Sequence, residues 1–235
     1  MSSSEFNEIV STLPIEIRTR ALRNPTRFLD LTAAVLDSDI ELLRHVDRSH
    51  GLEPDDEPAG MVGLRTFADS ISVSAPDDRL VERAALALRD MTDAARLDDV
   101  NLDVSSVYRD YETQEELYAN HLERFGYRLT SQLVAPPGHS EHQLGTTVDF
   151  FPVGRNFDGT PQDLWLRAHA ADYGFSLSYP SGLEDVTGYL YESWHYRYIG
   201  SDAVAMKDSF FRGVQYYLTR FFDEHGPFLA QVYRR

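Results

Sequence analysis

The chain has 235 residues, 42% of them hydrophobic and 12% aromatic, which is enough to bury the core of a large globular domain. Its formal net charge of −16 comes from 22 basic and 38 acidic side chains. A surface of that sign repels phosphate backbones and anionic lipids, so nucleic acid is not expected as a partner. The absence of cysteine excludes disulfides, thiolate nucleophiles and Cys-ligated zinc. A bound metal would therefore have to use His, Asp and Glu.

The N-terminal residues 1–6 carry neither a basic n-region nor an apolar h-region, so they do not resemble a signal peptide. No stretch of the sequence has the run of apolar residues that spanning a bilayer requires. We therefore expect no transmembrane segment, and we expect the chain to act as a monomer.

The first part of the chain is predicted to be helical. Apolar residues at helical spacing run from Leu13 to Leu43. The pair Asn24-Pro25 interrupts this segment, and either Asn24 or Thr26 is expected to cap the second helix. Residues 1–44 are interpreted as an N-terminal helical extension, and residues 45–235 as the main domain.

A polar segment over 50–60, rich in proline and glycine, is predicted to be a loop. Asp77 or Asp78 is then expected to cap a long amphipathic helix that extends to about Ala95. The elements that follow are predicted to be strand 102–109, helix 113–126, strand 146–151, helix 162–173, short strands near 175–177 and 194–199, and a final helix over 201–224 closed by Gly226-Pro227. Few strands with long connections indicate an α+β fold with a small, mainly antiparallel sheet flanked by helices.

One segment with chemical character surrounds Asp149, which Val148 and Phe150 flank within a strand-like run. Burying a carboxylate among such neighbours is costly unless a cation or a metal balances it. His139 and His142 lie a few residues upstream, and either one is near enough in sequence to join Asp149 as a metal ligand.

The second segment runs over 192–198, where Glu192 and His195 lie three residues apart among aromatic neighbours. Two imidazoles and one carboxylate predict a catalytic zinc with an open fourth position. Glu192 would then act as a base on the bound water, while His139 and His142 compete for one ligand position. Residues i and i+3 face opposite sides of a regular strand, so a turn or bulge is predicted between Glu192 and His195.

Three motifs, in this order along the chain, resemble the VanY-type D-alanyl-D-alanine carboxypeptidases. The motifs are Val104-Ser105-Ser106-Val107-Tyr108-Arg109 with Gln114 five residues later, Ser140-x-His142-x-x-Gly145-x-x-x-Asp149, and Glu192-x-Trp194-His195-x-Arg197-Tyr198. A weaker similarity begins at Val46-Asp47-Arg48. The resemblance covers about residues 45–200 and implies the α+β fold of the lysostaphin, D-Ala-D-Ala and hedgehog-like zinc peptidases.

The resemblance implies that Zn²⁺ is held by His142, Asp149 and His195. It implies that Glu192 is the general base, and it leaves His139 outside the ligand set. These assignments resolve the competition between the two upstream histidines.

The resemblance also implies substrate contacts. Arg109 matches an arginine that faces the scissile carbonyl, and Ser140 and Gln114 match positions that help to hold the peptide. Trp194 is expected to line the substrate cleft.

Thr147 departs from the family, which usually has a small apolar residue two positions before the aspartate. A β-branched residue suits a strand, so we expect Thr147 to affect packing and not the ligands. Arg197 and Tyr198 are expected to support the site from behind the ligands.

The implied reaction is hydrolysis of the terminal D-Ala-D-Ala bond of a peptidoglycan stem peptide or precursor. Two further readings stay open: an endopeptidase of the same fold, and a zinc-binding cell-wall recognition module without turnover. Glu192 counts against the recognition module, because a non-enzyme has no need of the base. The substrate implies a periplasmic or envelope location if a leader has been removed, and a cytoplasmic location otherwise.

Overall fold

The structure is a computed structural model that describes residues 1–233. Its contacts divide the chain into two compact units. Unit 1 joins Met1–His45 to the C-terminal residues from Ile199 onward, and unit 2 is Val46–Tyr198. This division differs from the predicted main domain of residues 45–235, because the C-terminal helices group with the N-terminal segment. The interpretation of residues 1–44 as an extension stays a prediction.

The helices and strands are named in chain order. In residues 1–233 the α-helices are α1 (Ser3–Ser11), α2 (Ile15–Arg23), α3 (Pro25–Asp37), α4 (Glu82–Leu97), α5 (Tyr111–Leu133), α6 (Pro161–His169), α7 (Glu184–Thr187), α8 (Ser201–Phe210) and α9 (Gln215–Tyr233). The strands in the same residues are β1 (Met61–Gly63), β2 (Arg79–Val81), β3 (Val104–Ser106), β4 (Thr147–Phe150), β5 (Phe175–Leu177) and β6 (His195–Tyr198). Short 3₁₀ helices cover Ile40–Leu43, Leu64–Phe67, Glu141–Leu144 and Ala170–Tyr173.

Unit 1 is helical and has an aromatic core centred on Phe28 of α3. The ring centroids of Phe6, Phe210 and Phe221 lie 5.9, 5.1 and 5.7 Å from that of Phe28, all in edge-on arrangements. Such pairs add about 0.5–1.5 kcal/mol each beyond the area they bury. The side chain of Phe28 is 1% exposed, so this ring holds α3 in the unit.

The predicted cap at Asn24 is confirmed, since its Oδ1 accepts a hydrogen bond from the Arg27 backbone N–H at 3.3 Å. The predicted single helix over 201–224 is wrong. Arg212 and Gly213 have φ angles of 61° and 74°, and this left-handed pair separates α8 from α9. The predicted stop before Pro227 is also wrong, because α9 continues past it. The apolar face of α9 is buried on both sides of the proline, which offsets the one hydrogen bond that proline cannot donate.

Unit 2 contains a four-stranded antiparallel sheet in the order β3-β4-β6-β5. Every residue of β4 is buried, as expected for an inner strand. The apolar core of the unit combines residues of the sheet with residues of α4, among them Leu88, Met91, Val148, Phe150 and Tyr196. This arrangement is the predicted α+β class with a small antiparallel sheet.

A second, two-stranded sheet pairs β1 with β2, with Met61 opposite Val81. The prediction that Asp77 or Asp78 caps helix α4 is wrong. Residues 79–81 form a strand with a buried centre, so α4 begins only at Glu82.

The helix predicted over 113–126 begins at Tyr111, where Asp110 caps it by accepting a hydrogen bond from the Thr113 N–H at 2.8 Å. Gly126, with φ 72°, breaks the helix where the sequence predicted its end. A further helical stretch then follows to Leu133.

No helix within residues 1–233 combines the length and the apolar character that crossing a membrane requires.

Candidate metal centre

Two strands and one turn bring three candidate ligands together. β4 and β6 are antiparallel neighbours, and their register places Asp149 directly opposite His195. His142 lies on the 3₁₀ helix Glu141–Leu144, which Gly145 ends in a left-handed conformation at φ 64° just before β4. One donor atom from each of the three ligand candidates lies within 4.8 Å of the others, and all three residues are buried.

The contacts within this cluster place both histidines against the same carboxylate. His142 Nε2 lies 3.2 Å from Asp149 Oδ2, and His195 Nδ1 lies 3.0 Å from Asp149 Oδ1. The two imidazole rings are nearly perpendicular, at 88°, with centroids 5.1 Å apart. The donor atoms therefore converge from three directions.

The outer nitrogen of each histidine is held by another acceptor. His142 Nδ1 lies 2.5 Å from the carbonyl oxygen of Val107, which can only accept, so Nδ1 carries the proton. His195 Nε2 lies 3.2 Å from Glu141 Oε2. The remaining nitrogens, Nε2 of His142 and Nδ1 of His195, face Asp149, and each offers a lone pair there once it is deprotonated.

This donor set fits a metal cation. Asp149 Oδ1 is buried and accepts no hydrogen bond within the described residues, although His195 Nδ1 is 3.0 Å away. Two imidazole nitrogens and one carboxylate are the ligands of a catalytic zinc site with an open position. The two imidazoles and the carboxylate lie within 4.8 Å of one another, as the ligands of one metal ion would.

The electrostatics of the cluster favour positive charge. Burial raises the pKa of Asp149, but the two neighbouring histidines outweigh it and hold the pKa well below its usual range. Burial lowers the pKa of His195, but Asp149, Glu141 and Glu192 outweigh it and raise the pKa to about 10. Three carboxylates around one imidazole therefore create a position that stabilises a cation.

Glu192 approaches this cluster through a turn. The backbone N–H of His195 donates to the Glu192 carbonyl at 3.3 Å, which confirms the predicted turn between the two residues. Glu192 Oε2 consequently lies 3.5 Å from His195 Nδ1, with the Glu192 side chain 12% exposed. Burial is the main cause that raises the pKa of Glu192 to about 8, so this carboxyl group holds a proton more readily than an exposed glutamate does.

Arg109, just after β3, is held in a fixed orientation. Its Nη1 donates to Gln114 Oε1 at 2.7 Å and its Nη2 donates to Ser106 Oγ at 3.0 Å. Gln114 Nε2 in turn donates to the Ala135 carbonyl at 2.6 Å. Both ends of the Gln114 amide are thus engaged within the chain, where the amide orients Arg109. The predicted contact of Gln114 with a peptide stays a prediction.

The eight residues predicted as ligands, base or substrate contacts all line one cavity of about 500 Å³. They are Arg109, Gln114, Ser140, His142, Asp149, Glu192, Trp194 and His195. Leu117, Leu133 and Val153 add an apolar wall. A cleft of this composition can hold a peptide along its wall, with the peptide's reacting bond at the metal cluster.

His139 lies apart from this cluster. Its Nδ1 is 2.7 Å from the backbone oxygen of Asp47, and its ring packs so closely on Gly51 that a Cβ there would lie 2.9 Å from His139 Cε1. His142, and not His139, is therefore the upstream histidine that the structure brings to Asp149.

Comparison with known proteins identifies the family to which this chain belongs. The family model described as "VanY: D-alanyl-D-alanine carboxypeptidase" matches residues 77–201, more than half of the chain. The chain belongs to the VanY family.

Individual VanY-family relatives agree with the family match. The protein YodJ of Bacillus subtilis (strain 168) is 31% identical over 209 residues, which cover 86% of this chain and 70% of the relative. The LD-carboxypeptidase LdcB has a similar structure, with a TM-score of 0.66 and 31% identity over 78% of this chain and 87% of that one. A glutamate-to-alanine mutant of the vancomycin-resistance D,D-pentapeptidase VanY, in complex with Zn(II), has a similar structure with a TM-score of 0.62. The two are 29% identical over 77% of this chain and 99% of that one.

Three residues of this VanY-family site were not found from the sequence. Glu141 contacts His195 as described above. The Tyr179 ring lies tilted against the same imidazole, with centroids 4.8 Å apart, and the Tyr189 ring lies 5.1 Å from that of Tyr179. The only sequence signal for Glu141 was its place between Ser140 and His142, and the tyrosines approach from loops whose course the sequence does not specify.

Thr147 does more than fill space. Its Oγ1 donates to the backbone oxygen of Glu141 at 3.1 Å, and both residues are buried. The expectation that Thr147 affects only packing was therefore incomplete, because its hydroxyl ties β4 to the turn that carries Glu141 and His142.

Proposed function

We propose that the chain is a zinc-dependent D-alanyl-D-alanine carboxypeptidase, which hydrolyses the C-terminal D-Ala-D-Ala bond of a peptidoglycan stem peptide or its precursor. The observation that carries this proposal is the convergence of His142, Asp149, His195, Glu192 and Arg109 on one cavity. Membership of the VanY family supports the peptide substrate, and the Zn(II) complex of a family structure supports the metal. The envelope location that such a substrate implies stays a prediction.

In this proposal His142 Nε2, Asp149 and His195 Nδ1 hold the metal. Bound there, Zn²⁺ supplies Lewis acidity that lowers the pKa of a water molecule towards about 7 and polarises a carbonyl. The outer contacts of the two imidazoles, to the Val107 carbonyl and to Glu141, keep their inner lone pairs directed at the metal position.

Glu192 is the proton carrier. Its carboxylate accepts a proton from the water that attacks the peptide carbonyl, and then delivers that proton to the departing amine nitrogen. The burial that raises its pKa to about 8 suits the second half of this cycle, because a carboxyl group must hold the proton before it passes it on. Excluding water around Glu192 also strengthens its interactions with charge in the cleft.

Arg109 stabilises the negative charge that develops on the carbonyl oxygen. Its guanidinium lines the cleft with two of its donors already fixed by Gln114 and Ser106, so little reorganisation accompanies the reaction. Ser140, whose Oγ accepts from the His142 N–H at 3.3 Å, keeps its hydroxyl proton to donate to the peptide. Trp194 supplies an apolar wall.

The test combines metal analysis with measurement of free D-alanine released from a pentapeptide ending in D-Ala-D-Ala. The native protein should hold one zinc and release D-alanine. Glu192→Gln should keep the zinc and lose about 10²–10⁴-fold in rate, because it removes the proton carrier. The exposed Glu116→Gln is the matched control and should leave both unchanged. Equal release by the native protein and Glu192→Gln would refute the proposed role of Glu192.

A second candidate activity is favoured by one comparison, the structural similarity to the LD-carboxypeptidase LdcB. An LD-carboxypeptidase would release D-alanine from a tetrapeptide ending in L-residue–D-Ala and would act poorly on the pentapeptide.

The same product analysis identifies an endopeptidase, which would yield two peptide fragments without free D-alanine. It also identifies a recognition module, which would bind the peptide without any product.

A further inference from the structure

Behind the metal cluster, two side chains of β6 converge on one buried carboxylate. Glu141 Oε2 lies 3.2 Å from His195 Nε2, and Glu141 Oε1 accepts a hydrogen bond from Arg197 Nη1 at 3.0 Å. Their side chains are at most 7% exposed. His195 and Arg197 are two positions apart on a strand and so point to the same face, which lets one carboxylate contact both.

We propose that Glu141 is a positioning residue for His195: its carboxylate fixes the tautomer and the rotation of the imidazole, so that Nδ1 presents a lone pair to the metal. The inference rests on the proposed function in that zinc is the metal held. It assigns to Glu141 no contact with the substrate or with the metal itself.

Arg197 allows the Glu141 carboxylate to stay charged in the protein interior while it contacts His195. A buried carboxylate is costly unless a charge of opposite sign and good hydrogen bonds offset its desolvation. Arg197, with 0% exposure, balances that charge through Oε1 and leaves Oε2 directed at His195. Apolar residues in place of such a buried pair often give equal stability, so its orientation of a ligand is the more informative property.

The main chain of Glu141 is fixed as well as its side chain. Thr147 Oγ1 donates to the Glu141 carbonyl at 3.1 Å, and Thr147 lies opposite Arg197 in the register of β4 and β6. Glu141 is thus held by β4 through its backbone and by β6 through its carboxylate. The position of the carboxylate relative to His195 is therefore set by the pairing of these two strands.

Glu141→Gln tests the inference through hydrogen-bond polarity. Arg197 offers only donors, so the amide oxygen of the new side chain must face it, and the amide NH₂ then faces His195 Nε2. That contact favours the tautomer with its proton on Nδ1, the atom that should bind the metal. We expect a 10–100-fold loss of zinc affinity, the size of effect that outer partners of metal-bound histidines show.

Zinc affinity is measured by competition with a chromophoric chelator, and the hydrogen bond of His195 Nε2–H by ¹H–¹⁵N NMR of the zinc-loaded protein. Glu116→Gln, at an exposed position, is the matched control and should have the zinc affinity and the His195 NMR signal of the native protein. Zinc affinity of Glu141→Gln within threefold of native, or an unchanged His195 Nε2–H signal, would overturn the inference. If Glu141→Gln does not fold, Glu141→Asp decides in its place, because it keeps the charge opposite Arg197 but shortens the reach to His195. It should lose at least tenfold in zinc affinity, and native affinity would overturn the inference.

These outcomes separate the inference from the proposed function. A native protein that binds zinc but releases no D-alanine refutes the proposed function alone, and the affinity and NMR measurements still apply. A native protein that releases D-alanine, with a Glu141→Gln variant that binds zinc as tightly, refutes the positioning role alone.

Discussion

Unit 1 and unit 2 bury different kinds of side chain. The described core of unit 1 combines phenylalanine rings with aliphatic side chains, and among its described residues the buried member of the Asp, Glu, Lys and Arg set is Lys207. Unit 2 buries several such groups: Asp47, Glu141, Asp149, Asp163 and Arg197. Burying charge costs free energy that apolar packing does not. Asp149 lines the cavity, and Glu141 and Arg197 pair behind it, so unit 2 accepts this cost at its candidate site, whereas the described core of unit 1 serves stability.

The largest expected effect is a loss of stability on changing the core of unit 1, which tests the comparison of the two units. Phe28→Ala should lower the free energy of unfolding by about 3–5 kcal/mol, because it removes a ring at 1% exposure that contacts several others. Urea denaturation measures the loss, and chelator competition on the folded variant should give native zinc affinity. Phe228→Ala, at a position 40% exposed, is the control and should cost far less. A parallel loss of zinc affinity in Phe28→Ala would break the distinction between the units.

The next effect concerns catalysis in unit 2. Arg109→Lys replaces a guanidinium fork by a single ammonium, which cannot bond Gln114 and Ser106 while facing the cleft. We expect kcat/KM for D-alanine release to fall about 10²–10³-fold, as when one donor to a developing oxyanion is lost, with zinc content unchanged. The exposed Arg83→Lys serves as control. Native kcat/KM in Arg109→Lys would show that the guanidinium does not act on the reacting carbonyl.

A pH prediction follows from the buried carboxylate of Glu141. Burial raises its pKa, but Arg197 and His195 outweigh burial and lower it from 4.5 to about 2. A depressed pKa contributes stability that is present above the unfolded value and lost as pH falls through the folded value, so the loss spans about pH 5 to 2. The contribution is about 3 kcal/mol at its full extent.

The measurement compares the metal-free native protein with Glu141→Gln by urea denaturation between pH 2.5 and 6. The native protein's advantage should shrink as the pH falls, because the variant lacks the titrating group. A difference that stays constant with pH would contradict the lowered pKa. For Phe28→Ala in unit 1, the difference in unfolding free energy from the native protein should stay constant over the same pH range. The two units should therefore differ in the pH dependence of their stability.

The smallest effect tests the bond between Thr147 and Glu141. Thr147→Val keeps the shape but leaves a buried carbonyl without this donor, and should cost about 1 kcal/mol of unfolding free energy. Thr147→Ser keeps the hydroxyl and should retain the bond, with a smaller loss due to the missing methyl group. A Val variant as stable as the native protein would mean that the hydroxyl adds nothing.

Part of the fold could be predicted from local patterns. The spacing of Leu80, Ala84, Leu88, Met91 and Ala95 predicted the long amphipathic helix α4, because each turn of such a helix must bury one face. The alternating pattern before Arg109 predicted β3. In the site, the three ordered motifs and their spacing predicted eight of the residues that line the cavity, since those motifs carry information that composition lacks.

What could not be predicted depends on long-range pairing. The strand at 79–81 is stabilised by its partner at 61–63, and nothing local distinguishes it from the start of α4. The break at Arg212-Gly213 requires a non-glycine residue with positive φ, which tertiary packing imposes. Glu141 could not be distinguished from an exposed acid, because its partners His195 and Arg197 lie on a strand far along the chain.

The pairing of Asp149 with His195 across β4 and β6 also bears on the order of folding. Fifty-four residues separate Glu141 from His195, so the ligands meet only after a long loop has closed, which is a slow event. A slip of one residue between β4 and β6 would turn one ligand to the opposite face of the sheet. Under the proposed function, the metal binds fully only once β4 and β6 have paired in this register, so zinc uptake during refolding would report the completion of the sheet.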